Sequence, residues 1–240
     1  PADAANISRV ISLRAGFPEA TPAYTVHRNC ASAMEAIAQG CLKIGAGLAD
    51  TMLVGGTESM SNMPLIFGDE MKELFSTLTF AKSQVEKLEK LTQFRPQWLK
   101  PVVSIMEGLT DPISGLNMGQ TAEVLARDFH LTRQEQDAYA AESHRRAAAA
   151  TAAGSFDAEI SAVEITPRKG PVQRVRQDES IRPDTSEEGL ARLAPAFRAD
   201  GTVTAGNAPP VSDGAAALVV MSASRATELG LTPKIGRAHV

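Results

Sequence analysis

Cys30 is the residue of this chain best placed to do chemistry. It follows a short β-prone run at residues 23–26 and precedes residues 34–44, whose apolar side chains recur at helical spacing. A cysteine at the start of a helix lies near unpaired backbone N–H groups and the positive end of the helix dipole, which favour a thiolate. The same N–H groups can hold an oxyanion. The pattern therefore indicates a nucleophilic thiol at position 30.

A structural role is the alternative for both cysteines, because free cysteine is among the most often buried residue types. Cys41 fits this alternative well, since it falls in mid-helix on the apolar stripe, and we expect it to be buried. For Cys30, position alone does not separate a nucleophile from a core residue. The motifs around Cys30 are needed to distinguish these two roles.

Composition excludes several classes of protein. The chain has 240 residues, 43% of them hydrophobic and 22% charged, which suits one large domain or two modest ones. Its net charge of -4, with scattered Lys and Arg, gives no basic surface for nucleic acid. No apolar run approaches the roughly 18 residues that a membrane span needs. Two cysteines without a framework spacing indicate a reducing, cytoplasmic location, and we expect neither a metal nor a resident cofactor.

The elements that must position Cys30 follow it in the chain. An apolar β-prone run at residues 51–54 ends in Gly55 and Gly56, so strand, helix and strand form a predicted βαβ unit in a parallel sheet. Residues 57–62 are predicted to turn out of the sheet. Residues 63–174 lose this rhythm and are predicted to be mostly helical.

Within this helical part, residues 69–91 predict a half-solvated helix or helix pair. A turn leads to a helix over residues 121–129, and Thr132 with Glu135 forms a capping box that opens a helix ending near Gly154.

The chain then returns to short strands. They are predicted over residues 158–166, 201–207 and 215–221, and a helix that Ser222 caps follows the last of them.

Four stretches in this order resemble motifs of the thiolase family, enzymes that cleave or form 3-ketoacyl-CoA. They are Asn-Cys-Ala-Ser-Ala-Met at 29–34, Gly-Gly-Thr-Glu-Ser-Met-Ser at 55–61, Met-Gly-Gln-Thr-Ala-Glu at 118–123, and Gly-Thr-Val-Thr-Ala-Gly-Asn-Ala at 201–208 with Asp-Gly-Ala-Ala-Ala at 213–217. Four matches at about the expected spacing make a chance agreement very improbable.

The resemblance implies roles for particular residues. Cys30 would take the acyl group as a thioester, with its backbone N–H in an oxyanion hole. Asn117 and Met118 would line the acyl pocket. Phe197 and the segment 205–210 would flank the pantetheine arm of coenzyme A, which is a co-substrate; the binding residues carried over from this segment are Asn207, Ala208 and Pro209.

The family's fold implies an α/β layered sandwich of two βαβαβ-type halves with a helical loop-domain insertion, and here it would be incomplete. We assign residues 1–62 to the N-terminal half, 63–174 to the insertion and 175–233 to the return to the core and the start of the C-terminal half. Residues 234–240 are taken as a non-native tail, because 235–240 match one reading frame of a common sequencing adapter. A homodimer or homotetramer is expected for the complete protein.

Some family features differ or are absent. Asn117 stands where many thiolases have histidine, and Pro209 stands where they have a serine whose hydroxyl would bind CoA. The Asn-Glu-Ala-Phe, Gly-His-Pro and Cys-x-Gly-Gly motifs have no match, so the chain alone is expected not to catalyse the condensation. Two alternatives stay open: a hydrolase or acyltransferase that pairs Cys30 with His27, and a non-catalytic or lipid-carrier relative.

Overall fold

The computed structural model describes residues 4–234. In chain order the helices are α1 (Ile7–Arg14), α2 (Ser32–Gly45), α3 (Asp69–Phe80), α4 (Gln84–Thr92), α5 (Ser104–Leu109), α6 (Met118–Asp128), α7 (Arg133–Ala152), α8 (Glu187–Ala191) and α9 (Ala223–Glu228). The strands are β1 (Thr51–Ser59), β2 (Leu65–Phe67), β3 (Pro101–Val103), β4 (Val163–Ile165), β5 (Gln173–Val175) and β6 (Asp213–Met221).

Two compact units make up the chain. The first contains the residues up to Pro101 together with those from Ser212 onward, and the second is Val102–Val211. The division predicted from the sequence stays a prediction, and the part it assigns to the helical insertion contributes residues 63–101 to the first unit and 102–174 to the second. Of the predicted non-native tail, residues 235–240 lie outside the described part of the chain.

The first unit is built on an antiparallel pair of long strands. β1 and β6 pair over their whole length, from Thr51 opposite Met221 to Ser59 opposite Asp213. One face of the pair is covered by α2, and Val54 is buried there. On the other face Leu53 and its partner Val219 are 55% and 60% exposed.

A carboxylate fixes the far end of this strand pair. Asp213 accepts hydrogen bonds from the backbone N–H of Ser61, at 2.9 Å, and from the Ser61 hydroxyl. These bonds, the hydroxyl's first, lower the pKa of Asp213 below its usual value, so the side chain stays ionised. The chain leaving β1 is therefore tied to the first residue of β6.

Three sequence predictions about this sheet are wrong, wholly or in part. Residues 23–26 form no strand: the carbonyl of Ala23 accepts a bond from Asn6 and the hydroxyl of Thr25 bonds to Asn6 and Ser8 around the start of α1. The partner of β1 is β6, which runs antiparallel and follows it by about 150 residues of chain, in place of the predicted parallel βαβ neighbour. The strand also continues to Ser59, beyond the predicted turn at residue 57.

The helical predictions fare better because their signals are local. The pair predicted over 69–91 is present as α3 and α4. The Thr132 and Glu135 capping box is formed at the start of α7, and Gly154 follows its end with φ of 68°. α6 begins at Met118, three residues before the predicted start. Of the strand predicted over 158–166, the structure contains β4.

No helix within residues 4–234 combines the length and the hydropathy that a membrane crossing requires.

Glu142 on α7 should titrate at unusually low pH. Hydrogen bonds from Arg145 and Arg146 lower its pKa from 4.5 to about 2. The folded-state pKa is depressed, so this interaction stabilises the helix above pH 4.5 and is lost as the pH falls toward 2. A carboxyl NMR titration is expected to place the midpoint of Glu142 near pH 2.

Arg145 contributes most to this shift, so the Arg145→Gln variant should move the Glu142 midpoint upward, toward 4.5. A wild-type midpoint already close to 4.5 would show that the two arginines do not hold this carboxylate in solution.

Candidate active site

Cys30 lies in a tight turn directly before α2 and is exposed. The turn is closed by two backbone hydrogen bonds, from Ala31 N–H to the Arg28 carbonyl at 2.9 Å and from Ser32 N–H to the Asn29 carbonyl at 3.1 Å. The prediction that Cys30 sits at or just before the first helical turn is confirmed. The geometry presents an accessible thiol at the positive end of a helix.

The residue before the cysteine has a left-handed backbone. Asn29 has φ of 47°, a conformation that asparagine tolerates better than most side chains. The hydroxyl of Ser32 holds this conformation, since it donates to the Asn29 carbonyl at 2.7 Å and accepts from Arg28 N–H at 2.8 Å. The sharp turn therefore depends on the Asn and Ser of the Asn-Cys-Ala-Ser motif.

An ion pair extends this turn along α2. Arg28 donates to Glu35 at 2.8 Å, and Gln39 donates to the other oxygen of the same carboxylate at 2.9 Å. The bond from Gln39 and that from Arg28, in this order, lower the pKa of Glu35. This pairing holds the Arg28 side chain along the first turns of α2.

The start of α2 packs closely against β1. A Cβ built on Gly56 would lie 2.9 Å from the Cβ of Ala33, and one built on Gly40 would lie 3.1 Å from Val54. Side chains at these glycines would push the helix away from the strand. The glycines therefore set the height of α2, and of the Cys30 turn before it, above the sheet.

Cys41 does not lie where the sequence placed it. It is within α2, but it is exposed, so the prediction of a buried structural cysteine is wrong. The helix buries the face with Gly40 against β1, and Cys41 falls on the other side together with Met34, which is 67% exposed. Helical periodicity identified an apolar stripe wider than the face that this strand pair covers.

The predicted substrate-binding residues all belong to the second unit. Phe197 packs over the first turn of α6: a Cβ on Gly119 would lie 2.3 to 2.4 Å from three of its ring carbons. Met118, next to this glycine, is 53% exposed, and Phe197 is 37% exposed. The structure thus brings a residue of the expected acyl pocket beside one expected to flank pantetheine.

Asn117 has a structural task of its own. Its side-chain oxygen accepts a 2.9 Å bond from Gln120 N–H, and the Gln120 side chain accepts from Asn117 N–H at 3.0 Å. These two bonds form a capping box at the start of α6. A capping side chain fits the asparagine found at this position.

The segment predicted as a strand over 201–207 is a series of turns, so that prediction is wrong. The carboxylate of Glu123 accepts the backbone N–H groups of Thr202, at 2.9 and 3.0 Å, and of Val203, at 2.8 Å. The side chain of Asn207 accepts the next N–H, that of Thr204, at 2.8 Å. Side chains therefore take the donors that a strand would offer to a neighbouring strand.

Asn207 is bonded through its whole amide. Its NH₂ group donates to the Thr202 carbonyl at 3.0 Å and to Asp137 at 2.9 Å. Ala208 N–H donates to the Thr204 carbonyl at 3.1 Å, and Pro209 is exposed just beyond it. This segment also lies beside the residues that precede Phe197, because Ala196 N–H donates to the Val203 carbonyl at 2.9 Å.

The second unit thus gathers the six predicted binding residues around the start of α6 and the turns that follow residue 201, while Cys30 belongs to the first unit. Sequence reasoning missed Glu123 and Asp137, which are 6% and 2% exposed. Glu123 ends the Met-Gly-Gln-Thr-Ala-Glu motif at 118–123, which was a signal for it, whereas nothing in the sequence of α7 distinguishes Asp137. Among residues 4–234, no group of three His, Cys, Asp or Glu side chains is arranged to hold a metal ion.

This α/β architecture, with a cysteine at a helix start and small-residue turns, has known counterparts. The model of the family described as "Thiolase, N-terminal domain" matches residues 2–224. The chain belongs to the thiolase family, and the predicted fold class, an incomplete thiolase-like α/β fold, is confirmed.

Curated relatives agree with this assignment. A probable acetyl-CoA acyltransferase of Staphylococcus epidermidis is 40% identical over 228 residues, which are 95% of this chain and 53% of that protein. The corresponding protein of Staphylococcus aureus strain COL is 38% identical over the same length. The chain spans about half the length of the curated relatives it matches.

Solved structures show the same similarity in three dimensions. The crystal structure of the Bacillus anthracis acetyl-CoA acetyltransferase superposes with a TM-score of 0.82 at 37% identity, covering 97% of this chain and 54% of that one. Human mitochondrial 3-ketoacyl-CoA thiolase in complex with CoA gives a TM-score of 0.76 at 35% identity, covering 94% of this chain and 51% of that one.

Proposed function

We propose that this chain is the part of a thiolase-type acyltransferase that carries the nucleophile and a set of CoA contacts. The observation that carries the proposal is Cys30: an exposed thiol in a tight turn directly before a helix, within the family's nucleophile motif. The relatives named acetyl-CoA acyltransferase and acetyl-CoA acetyltransferase support an acyl-CoA substrate.

In the proposed reaction the Cys30 thiolate attacks the thioester carbonyl of an acyl-CoA. A sulfur–carbon bond to Cys30 forms, the bond to the CoA sulfur breaks, and the CoA thiolate leaves and takes up a proton. Attack by CoA on the acyl-cysteine reverses the step. In the complete protein, attack by the same nucleophile on the 3-keto carbonyl of a 3-ketoacyl-CoA would break the bond between carbons 2 and 3, and the leaving acetyl-CoA enolate would take up a proton at its α-carbon.

A thiol suits this exchange for two reasons. One thioester is converted into another, so the acyl-enzyme is neither a deep trap nor a high-energy species. A thiol at the start of α2 also lies near unpaired backbone N–H groups, which can stabilise the oxyanion formed on the attacked carbonyl.

CoA is proposed to bind to the second unit. Met118 and Phe197 offer partly exposed apolar side chains for the acyl group and the pantetheine arm. Hydrogen bonds within the protein occupy the side-chain amide of Asn207, so Asn207 would contact CoA through its main chain. Ala208 and Pro209 continue the same surface. The relative solved in complex with CoA supports this ligand.

Mass spectrometry after incubation with acetyl-CoA tests the proposal. We expect one acetyl group on the peptide containing Cys30, removable by neutral hydroxylamine as a thioester is. Acetylation confined to lysines, or an acyl-cysteine that forms equally well from peptide or amide substrates, would overturn it. The second result would favour a cysteine hydrolase instead.

Restoring the family's serine at position 209 should strengthen CoA binding. Pro209→Ser adds a hydroxyl on the exposed end of the proposed binding segment, and one hydrogen bond contributes about 1 kcal/mol, or about fivefold in Kd. Isothermal titration calorimetry with CoA measures the change. Pro171→Ser, at an exposed proline elsewhere in the same unit, is the matched control and should leave the Kd unchanged.

A further inference from the structure

We infer that Glu123 and Asp137 are positioning residues that fix the shape of the CoA-binding segment over residues 202–209. The inference rests on the proposed function, because it assigns these two carboxylates a task in CoA binding. Neither residue touches the proposed ligand. Each acts through the backbone or the side chain of the segment that does.

Glu123 binds the N-terminal part of the segment. Its carboxylate is 6% exposed and accepts the N–H groups of Thr202 and Val203 and, at 3.3 Å, the Thr202 hydroxyl. The fit is close, because a Cβ on Gly201 would lie 2.2 Å from a carboxylate oxygen. A buried carboxylate without these donors would be costly, so the turn at residues 201–203 and the side chain stabilise each other.

Asp137 binds the C-terminal part of the segment. It is 2% exposed, accepts from Arg133 at 2.7 Å with one oxygen, and accepts from Asn207 at 2.9 Å with the other. Arg133 also donates to the carbonyl of Leu190, whose side chain packs against Gly206. The position of Asn207 is therefore fixed from two directions.

Besides an isolated antiparallel bridge between Pro195 and Thr204, the two helices that carry these carboxylates define the path of the segment. Thr204 between them is fully buried, and its hydroxyl accepts Gly206 N–H at 3.2 Å. Because residues 202–207 are held in place, the chain leaves the turns through Ala208 and Pro209 in a single direction. Buried, fully bonded polar networks of this kind specify a single conformation.

The test compares CoA with adenosine 3′,5′-bisphosphate, its nucleotide portion, in titration calorimetry. The segment is proposed to flank pantetheine, so Glu123→Gln should raise the Kd for CoA about tenfold and leave that for the bisphosphate unchanged. Asp137→Asn, a second isosteric variant on the other helix, should show the same split. Glu164→Gln removes an exposed carboxylate in the same unit and serves as the control that changes neither Kd.

Amide hydrogen exchange gives an independent readout. In Glu123→Gln the N–H groups of Thr202 and Val203 should exchange about tenfold faster, while those in the middle of α7 keep their protection. Equal loss of affinity for both ligands would show a merely structural role, and unchanged CoA affinity or unchanged exchange at these two amides would also overturn the inference. If the wild-type chain binds CoA but Cys30 is never acylated, the proposed function fails while this inference stands; if the wild-type chain binds no CoA, both fail.

Discussion

Replacing Cys30 with serine should reduce acetyl transfer from acetyl-CoA by roughly a thousandfold or more, the largest effect expected of any single substitution in this chain. A serine hydroxyl ionises far less readily than a thiol, and an ester is a much poorer acyl donor to CoA than a thioester. The turn before α2 does not compensate, because a serine at position 30 would form an ester in place of the thioester whatever surrounds it.

The measurement is isotope exchange between labelled CoA and acetyl-CoA, with mass spectrometry of the acylated peptide. Cys41→Ser is the matched control, since Cys41 is also free and exposed and lies in α2, the helix that Cys30 directly precedes. It should exchange at the wild-type rate. The two variants together separate a nucleophile from a thiol that is merely accessible.

Two outcomes would contradict the assignment. Exchange that survives in Cys30→Ser would require another nucleophile. Exchange lost equally in both variants would show that α2 is disturbed by any polar substitution, and the effect at Cys30 would then carry no information about chemistry.

The start of α7 could be predicted from the sequence because its signal is short. Thr132 and Glu135 lie three residues apart and satisfy each other's backbone groups without help from the rest of the fold. The same locality made the start of α2, and with it the position of Cys30, predictable.

The strands could not be predicted as well, because a strand depends on a partner that is distant in sequence. β1 pairs with β6, and nothing within residues 51–59 indicates which segment that will be. Residues 201–207 have a strand-like composition, yet the carboxylate of Glu123, on a helix about 80 positions earlier, takes their N–H groups.

The residues of the candidate site also differ in whether the sequence alone predicts them. The position of Cys30 before α2 could be predicted because the cysteine and the helical pattern that follows it lie in one short window. Asp137 was missed because a charged residue in a helix usually faces solvent, and its burial depends on Asn207, 70 positions later. A cysteine before a helix is visible in a short window of sequence, whereas the burial of carboxylates such as Glu123 and Asp137 is identified only by the contacts of the folded chain.

Gly55 should be the glycine of the first unit least tolerant of substitution. A Cβ at this position would lie 2.3 Å from the carbonyl oxygen of Ala216 in the neighbouring strand and 3.2 Å from the Cα of Ala217. These are backbone atoms, which cannot rotate away as a flexible side chain can. Relief of the clash requires β1 and β6 to separate locally, and overpacking of this kind costs about 2–3 kcal/mol.

Gly214→Ala is the matched control. Gly214 lies in β6 of the same strand pair, and nothing lies within 4 Å of a Cβ built there. An alanine at that position should be neutral or stabilising by up to about 1 kcal/mol, because it restricts the unfolded chain more than the folded one. Thermal denaturation of the two variants, followed by circular dichroism, compares the same chemical change at a crowded and at an open site of one sheet.

The expected order is Gly55→Ala well below wild type and Gly214→Ala at or above it. Equal thermal unfolding midpoints for the two variants would mean that β1 and β6 lie farther apart in solution than in this structure. Since Gly56 beside Gly55 also sets the height of α2, a loss of stability in Gly55→Ala should be accompanied by slower acylation of Cys30. A destabilised variant that still acylates at the wild-type rate would separate the packing of β6 from the positioning of the nucleophile.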